Sequence, residues 1–283
     1  MAPVLRWGER TYLMGILNVT ADSFSGDGLA PSGRSVTEIV AAALDQGRRF
    51  VAAGAEILDV GAESTRPRNA YGDHPEVDAA TEEAMAVPVV RALSTELGDR
   101  ALVSIDTSKG SVARSAVEAG ATMVNDVWAA RHDPGTADAA AAAGAYLVLM
   151  HNQEGDEYPD GPFETVVTWL RTAVEAAERR GVTRDRLIVD PGIGFGKGTA
   201  HNLELLHRLG ELKETLGGLP LLIGTSRKRF IGELLDGAAP DERIEGTAAT
   251  VALAIAAGAD IVRVHDVETI ARTRRVADAV VRR

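Results

Sequence analysis

Short apolar runs alternate along the chain with longer segments of helical periodicity. The runs occupy residues 12–19, 57–61, 102–106, 123–127, 146–150, 187–190, 221–225 and 261–265. Near-continuous aliphatic runs of this length are typical of parallel strands that are buried on both faces. No Pro- or Ser-rich linker divides the series. We therefore predict an α/β protein with one domain over residues 1–283, a single (β/α)₈ TIM barrel, with an open doubly wound sheet as the alternative.

The segments between the runs show helix signals. Residues 36–51 have an apolar stripe with i, i+3, i+4 spacing, and Ser35 with Glu38 predicts a capping box at its start. Leucines at 205, 209, 212 and 216 predict one further helix, residues 166–177 another, and the Ala tract 138–144 a third. Residues 4–12 predict a hairpin that closes the bottom of the barrel.

Composition removes several classes of function. The chain has 30 basic and 41 acidic side chains, a net charge of −11, which is unlike the basic surface of a nucleic-acid binder. It has no cysteine, which excludes disulfides, thiolate nucleophiles and zinc–thiolate sites. Residues 139–150 form an apolar stretch shorter than the roughly 20 residues of a membrane span. We expect a cytoplasmic protein without a membrane or nucleic-acid partner.

Polar residues follow every predicted strand. In a barrel of this kind the chemistry takes place at the C-terminal ends of the strands, so these residues are the candidates for a site. In chain order they are Asn18, residues 63–66, Asp106, Asn125 with Asp126, His151, Asp190, residues 226–228, and Arg263 with His265. The Gly-rich dinucleotide fingerprint does not follow the first strand, which argues against a nicotinamide cofactor.

Four of these side chains are expected to converge near the barrel axis. Asp106, Asn125, Asp190 and Lys228 together offer two carboxylate acceptors, one amide and one cation. This set suits a flat heterocycle with adjacent N–H donors and a carbonyl. Carboxylates that accept from two adjacent N–H groups are selective, because an analogue without those donors leaves a buried charge unpaired.

Other candidates suit anions. Arg66, Arg263 and His265 are expected nearer the rim, where they can hold phosphate oxygens, and the helix after the seventh strand offers backbone N–H groups to a second anion. No metal-ligand spacing is present on a helix, but a Mg²⁺ that bridges phosphates and takes one or two protein oxygens is compatible.

Three further polar residues lie within a strand or at its end. Asp59 lies inside its strand and is expected to support its neighbours. Asp126 follows Asn125 directly, so it points to the opposite face of the strand and is either structural or part of the site. His151 ends its strand before the irregular acidic segment 152–163, and its role stays open.

Seven strings at these strand ends carry a family resemblance. They are GILNVTADSFS at 15–25, ESTRP at 63–67, SIDT at 104–107, NDV at 125–127, DPGIGF at 190–195, SRK at 226–228 and RVHD at 263–266. In this order, over residues 12–267, they resemble the dihydropteroate synthase family. The resemblance implies a (β/α)₈ barrel transferase of folate biosynthesis, which condenses 6-hydroxymethyl-7,8-dihydropterin diphosphate with 4-aminobenzoate and releases diphosphate in an SN1-like substitution.

The resemblance also implies roles for residues. The pterin diphosphate is bound by Thr65, Asp106, Asn125, Asp190, Lys228, Arg263 and His265, and 4-aminobenzoate by Thr65, Pro67, Phe195, Ser226 and the helix start at Arg227. Asn18 is the protein ligand of Mg²⁺. Arg66 and Asp22 join Lys228, Arg263, His265 and Thr65 as catalytic residues, with the segments around 22–28 and 65–67 closing over the reacting centre. A homodimer and sensitivity to sulfonamides are implied as well.

Two other functions are consistent with the same barrel. One is a pterin-binding methyltransferase for methyltetrahydrofolate and a corrinoid, which needs neither the diphosphate residues nor the closing segments. The other is a pterin-binding paralogue without catalysis, against which Lys228 and Arg263 count. The chain departs from the family at Ala62, Arg68 and residues 128–130, where glycine or small residues are usual; these changes leave the polar set intact.

Overall fold

A computed structural model describes residues 4–20, 28–29, 34–63 and 77–282. Eight strands form the barrel wall within these ranges. They are β1 (Tyr12–Asn18), β2 (Ile57–Gly61), β3 (Leu102–Asp106), β4 (Met123–Asp126), β5 (Tyr146–Met150), β6 (Leu187–Asp190), β7 (Leu222–Ile223) and β8 (Ile261–Val264). The prediction of eight strands is confirmed, and four of them keep their predicted bounds.

Ten α-helices surround the strands in the same described ranges. They are α1 (Val36–Ala53), α2 (Ala79–Leu97), α3 (Gly110–Glu118), α4 (Gly135–Ala143), α5 (Pro162–Arg179), α6 (Thr199–His207), α7 (Leu209–Thr215), α8 (Arg229–Leu234), α9 (Ile244–Ala256) and α10 (Val267–Val281). Short 3₁₀ turns lie at Arg184–Arg186 and Pro240–Glu242. In this part of the chain no helix has the length and apolarity needed to cross a bilayer.

Parallel pairing closes the strands into a barrel. The strand order is β6-β5-β4-β3-β2-β1-β8-β7, and every pair is parallel. An isolated parallel bridge between Val189 and Leu221 joins β6 to the chain just before β7. This closure confirms the (β/α)₈ barrel and excludes the open doubly wound sheet.

The barrel interior changes from apolar to polar along its axis. Because side chains alternate across a strand, every second residue points inward. The lower interior is a cluster of Leu5, Tyr12, Met14, Ile57, Leu102, Met123, Tyr146, Val148, Ile188, Leu222 and Ile261. A larger apolar core fills the space between the strands and the helices. The inward positions further along the strands are polar, and they form the upper end of the barrel.

The segment before β1 covers the lower end of the barrel in a different way from the predicted hairpin. Residues 7–9 form a turn, but residues 4–10 contain no strand, so no hairpin ladder exists there. Leu5 and Trp7 pack on the lower cluster, and the Trp7 ring lies edge-on to Tyr12 and Tyr146 with centroids 5.8 and 6.0 Å away. Burial of these apolar side chains, instead of strand pairing, holds the segment in place.

Most helix boundaries follow the sequence signals. At the start of α1, Ser35 and Glu38 form the predicted capping box, and Gly54 ends the helix in the left-handed conformation that glycine tolerates. The leucine series from 205 to 216 was predicted as one helix. The structure divides it at Arg208, which is the C-cap of α6 and the N-cap of α7.

Gly15 in β1 generates a prediction about stability. A Cβ at this position would lie 2.5 Å from Phe50 Cδ2 and 3.0 Å from Val267 Cγ2, so it would force α1 and α10 away from the strand. We expect Gly15→Ala to lower the free energy of unfolding by about 1–3 kcal/mol, the usual cost of overpacking. Urea denaturation measures it.

Gly210 in α7 is the matched control for the same substitution. The nearest atom to a Cβ there is Ala257 O at 3.6 Å, an ordinary contact, and the backbone is helical. Gly210→Ala should therefore raise stability by about 0.5 kcal/mol. Equal effects of the two substitutions would contradict the packing that the structure shows around β1.

Candidate active site

A buried ion-pair network crosses the upper interior of the barrel. Arg263 on β8 donates from Nε to Asp59 Oδ2 at 2.7 Å and from Nη2 to Asp106 Oδ2 at 2.6 Å. Asp59 is fully buried and Asp106 almost so. Arg263 was expected near the rim, but its guanidinium lies inside the barrel because it is drawn between two carboxylates that would otherwise be buried unpaired.

Asp59 also fixes the amide of Asn125. Asn125 Nδ2 donates to Asp59 Oδ2 at 3.0 Å, so the amide oxygen of Asn125 is turned away from that carboxylate. The other oxygen of Asp106, Oδ1, is buried and has no hydrogen-bond partner among the described residues. The expected supporting role of Asp59 is therefore what the contacts show. Its neighbours Asn125 and Asp106 are left with acceptor atoms for a ligand.

Asp190 adds a third acceptor at the end of β6. Its Oδ1 accepts from Gly192 N at 2.7 Å. Burial raises the pKa of Asp190 to about 6, against the opposing effects of the Gly192 hydrogen bond and the charge of Lys228. Burial likewise raises the pKa of Asp106 to about 7, opposed by the Arg263 charge. Burial therefore moves the pKa of both carboxyl groups toward neutral pH.

Lys228 and Phe195 lie together beside Asp190. The Lys228 Nζ is 3.8 Å from the centroid of the Phe195 ring, a cation–π arrangement. Gly194 makes room for the lysine, because a Cβ there would lie 2.8 Å from Lys228 Cδ. The structure therefore brings together Asp106, Asn125, Asp190 and Lys228, as the sequence predicted, and adds Phe195 to the group.

A second lysine, which the sequence reasoning passed over, lies next to this group. Lys197 Nζ is 2.9 Å from His151 Nδ1 and donates to Phe195 O at 2.9 Å. Burial lowers the pKa of Lys197 to about 7, and burial together with the Lys197 charge lowers the pKa of His151 to about 2. His151 is therefore a neutral buried acceptor that supports the segment after β6.

Ser226 and His265 meet between β7 and β8. His265 Nδ1 lies 3.0 Å from Ser226 Oγ, and the backbone N–H of His265 donates to the same oxygen at 3.2 Å. Arg227, between Ser226 and Lys228, was expected to start a helix. In the structure α8 begins at Arg229, and the Arg227 guanidinium pairs with Asp266 at 2.7 and 3.0 Å. Its charge is therefore largely balanced.

Asp126 has a structural role, one of the two that the sequence allowed. It points out of the barrel and accepts from Trp128 N at 2.8 Å, Ala130 N at 2.9 Å and Thr136 Oγ1 at 2.7 Å. These bonds hold a tight turn in which Ala129 and Ala130 have φ of 51° and 58°. Such angles favour glycine, so alanine at both positions carries a backbone cost.

Asn18 is the predicted metal ligand. It ends β1 and is half-buried, and its main-chain oxygen accepts from Leu29 N at 2.8 Å. Within the described ranges no group of three or more His, Asp or Glu side chains could hold a metal. One amide oxygen fits a Mg²⁺ that takes most of its ligands from water and from substrate phosphates.

Four predicted residues, Asp22, Thr65, Arg66 and Pro67, lie outside the described residues, as does Arg68. The structure does describe the two ends of the segment that contains the last four. Glu63 accepts from Val77 N at 3.1 Å, and Lys109 Nζ bridges Glu63 and Glu82 at 2.5 and 2.7 Å. Residues 63 and 77 are therefore held close to each other beside β3.

The chain matches known proteins over almost its whole length. Residues 14–265 match the family model described as pterin binding enzyme. The chain belongs to this family. It is 44% identical to the dihydropteroate synthase of Bacillus subtilis, a match that covers 98% of this chain and 90% of the relative.

Two solved structures of the pterin binding enzyme family agree in fold. The dihydropteroate synthase of Clostridium difficile, crystallised in the presence of pteroic acid, is 42% identical and covers 99% of this chain and 100% of its own, with a TM-score of 0.89. That of Xanthomonas albilineans with 4-aminobenzoic acid is 40% identical and covers 96% and 94%, with a TM-score of 0.85. The chain is thus a transferase of the dihydropteroate synthase type, and the methyltransferase and non-catalytic alternatives are not favoured.

Proposed function

We propose that the upper end of the barrel binds 6-hydroxymethyl-7,8-dihydropterin diphosphate and joins it to 4-aminobenzoate, giving 7,8-dihydropteroate and diphosphate. The observation that carries this proposal is the set of inward-facing acceptors on β3, β4 and β6. Asp106 Oδ1 is buried and has no hydrogen-bond partner among the described residues, and Asn125 donates from Nδ2 to Asp59, which turns its amide oxygen toward a ligand instead. Asp190 adds a carboxylate with one oxygen committed to Gly192.

This set matches the edge of a pterin ring. A reduced pterin carries an exocyclic amine and ring N–H groups, all donors, and one carbonyl acceptor. Three buried acceptors would pair with the donors, and Lys228 beside Asp190 would donate to the carbonyl side. A heterocycle that lacked those donors would leave buried carboxylates unpaired, at a cost of about 1–3 kcal/mol for each group.

The diphosphate would lie above the ring, toward β1 and β8. Arg263 uses Nε and Nη2 for its two carboxylates, which leaves Nη1 for a phosphate oxygen. His265, held against Ser226, would donate to another. Mg²⁺ bound to Asn18 and the diphosphate would neutralise charge on the leaving group. Arg66, which lies outside the described residues, would supply a further cation.

The second substrate would enter between β6 and β7. The Phe195 ring offers an apolar face to the benzoate ring, and Ser226 Oγ is placed to donate to its carboxylate. Thr65 and Pro67 would line the same space from outside the described ranges. The six residues of α8 start beyond Lys228, so the hydroxyl of Ser226, instead of a helix end at Arg227, would be the main polar contact.

The chemistry follows from these placements. The C–O bond to diphosphate breaks first, and the electron-rich dihydropterin stabilises the cationic methylene group that remains. The amine of 4-aminobenzoate then attacks this carbon and loses a proton. No protein nucleophile is required. Asp22 and Thr65, on segments expected to cover the site, would keep water from capturing the cation.

A homodimer and a cytoplasmic location complete the proposal. Helices α9 and α10 pack side by side and expose Leu253, Val276 and Val280, whose side chains are 69%, 66% and 64% accessible. Exposed apolar residues on two helices that pack together are what a protein–protein interface would cover. A 4-aminobenzoate site between Phe195 and Ser226 would also accept sulfonamides.

The activity itself is the first prediction. Purified protein incubated with the pterin diphosphate, 4-aminobenzoate and Mg²⁺ should form 7,8-dihydropteroate and diphosphate, detected by mass spectrometry. Omission of 4-aminobenzoate is the control and should stop dihydropteroate formation. Absence of product at saturating substrates would refute the proposed function.

The raised pKa of Asp190 predicts how pterin binding depends on pH. The ionised carboxylate is the acceptor, so below about pH 6 binding must release a proton and the affinity falls with decreasing pH. Asp106, with its pKa near 7, acts in the same direction. Asp190→Asn should weaken binding by about 2–3 kcal/mol at pH 8 and by less at pH 5. Calorimetry with the pterin measures both.

Asp185, exposed in the turn before the same strand, is the matched control. Asp185→Asn changes the same charge at the opposite end of β6 and should leave affinity and its pH dependence unaltered. Unchanged binding in Asp190→Asn would remove this carboxylate from the pterin pocket.

The proposed dimer predicts a change in mass. Glutamate at both Leu253 and Val276 would place charge in the middle of the interface, so the double variant should elute as a monomer when light scattering is coupled to gel filtration. Val4→Glu changes an equally exposed residue, 67% accessible, outside α9 and α10 and should leave a dimer. A monomeric parent protein, or a dimeric double variant, would contradict this interface.

A further inference from the structure

The turn between Ser226 and Lys228 has an unusual backbone. Lys228 N donates to Thr225 O at 3.1 Å, which closes a four-residue turn. Its third residue, Arg227, has a φ of 58°, and Ser226 has a negative φ. A turn with positive φ only at the third position normally has glycine there. A side chain in this conformation is strained and persists only when its surroundings hold it.

The surroundings of Arg227 supply several such contacts. Arg243 Nη1 donates to Arg227 O at 2.9 Å, and Arg227 N donates to Thr247 Oγ1 at 3.2 Å. Asp266 pairs with the Arg227 guanidinium. The main-chain atoms on both sides of the strained residue are thus fixed from residues at the start of α9, on the outside of the barrel.

Arg243 makes this contact with a buried guanidinium group. The residue is only 8% exposed, and its Nε donates to Ala238 O at 2.8 Å. Among the described residues no carboxylate lies within ion-pair distance of Arg243. Its guanidinium instead donates to two main-chain carbonyls, those of Ala238 and Arg227. Burial of a charge is costly unless it is well hydrogen-bonded, so this placement needs a compensating reason.

Gly232 in α8 is what allows the arginine to reach the turn. A Cβ on Gly232 would lie 2.5 Å from both Nε and Nη2 of Arg243 and 2.6 Å from Cζ. The guanidinium therefore passes directly over the glycine. Any side chain at position 232 would displace Arg243 from Arg227 O.

We propose that Arg243 is a positioning residue for the reaction: by holding Arg227 in its left-handed conformation, it sets the directions in which Ser226 and Lys228 project into the barrel mouth. This inference rests on the proposed function, in which Ser226 meets 4-aminobenzoate and Lys228 meets the pterin. Arg243 itself touches neither substrate. Its effect passes through the backbone of the turn.

Two variants test the inference by different routes. Arg243→Met removes the guanidinium, and Gly232→Ala displaces it without changing any charge. A displacement of about 1 Å at Lys228 and Ser226 is expected to lower kcat on the order of 10- to 100-fold and to raise KM for 4-aminobenzoate. Calorimetry should show weaker binding of the pterin diphosphate to both variants, a readout that does not depend on turnover.

Arg274 provides the matched control. It is also largely buried and donates to a main-chain carbonyl, Thr11 O at 3.1 Å, but it lies at the lower end of the barrel. Arg274→Met should lower the melting temperature without changing KM or ligand affinity. If Arg243→Met and Gly232→Ala retain parental kcat, KM and affinity, or lose no more than Arg274→Met, the inference is wrong.

A suppressor variant tests the backbone route directly. Glycine adopts positive φ without strain, so Arg227→Gly should make the turn independent of Arg243. In that background Arg243→Met should cause less than about a threefold further loss of kcat. A full loss in the Arg227→Gly background would show that Arg243 acts otherwise. Lack of dihydropteroate formation by the parent protein would instead refute the proposed function, while the affinities would still report on the turn.

Discussion

The contact between one guanidinium and two buried carboxylates is the constraint on which the barrel mouth depends. Arg263 pairs with both Asp59 and Asp106, and without its guanidinium the two buried carboxyl groups would lie close together with no countercharge. Asp59 in turn orients the amide of Asn125. The network thus decides which atoms are left to meet a ligand: acceptors on β3 and β4, with Asp190 continuing the set on β6. The specificity of the site follows from the pairing of its charges.

The sequence predicts the wall of this barrel well, because strand signals are local. Short apolar runs locate β2, β3, β5 and β6 to the residue, and the alternation of side chains along a strand separates inward Asn125 from outward Asp126. Convergence of strand ends at one rim then predicts that Asp106, Asn125 and Asp190 lie together, without any knowledge of contacts.

The sequence does not show where a long side chain reaches or which residues have a strained backbone. Arg263 reaches inward because of the charges it meets, which depends on residues far along the chain. Arg227 takes a conformation that its residue type disfavours, and Arg243 supports it from α9. Neither feature has a local signature. Motif resemblance identifies the candidate substrate contacts, but the residues that hold these candidates in place become visible only in three dimensions.

The sparsest strand pairing in the barrel wall, between β6 and β7, lies beside the candidate active site. Strand β7 has two residues, and in the described chain a single bridge between Val189 and Leu221 links it to β6. Asp190 ends β6 and Lys228 follows β7, so a substrate bound to both side chains would connect these two strands across the gap. A bound substrate would then add contacts between the two sides of the gap and so stabilise the barrel wall.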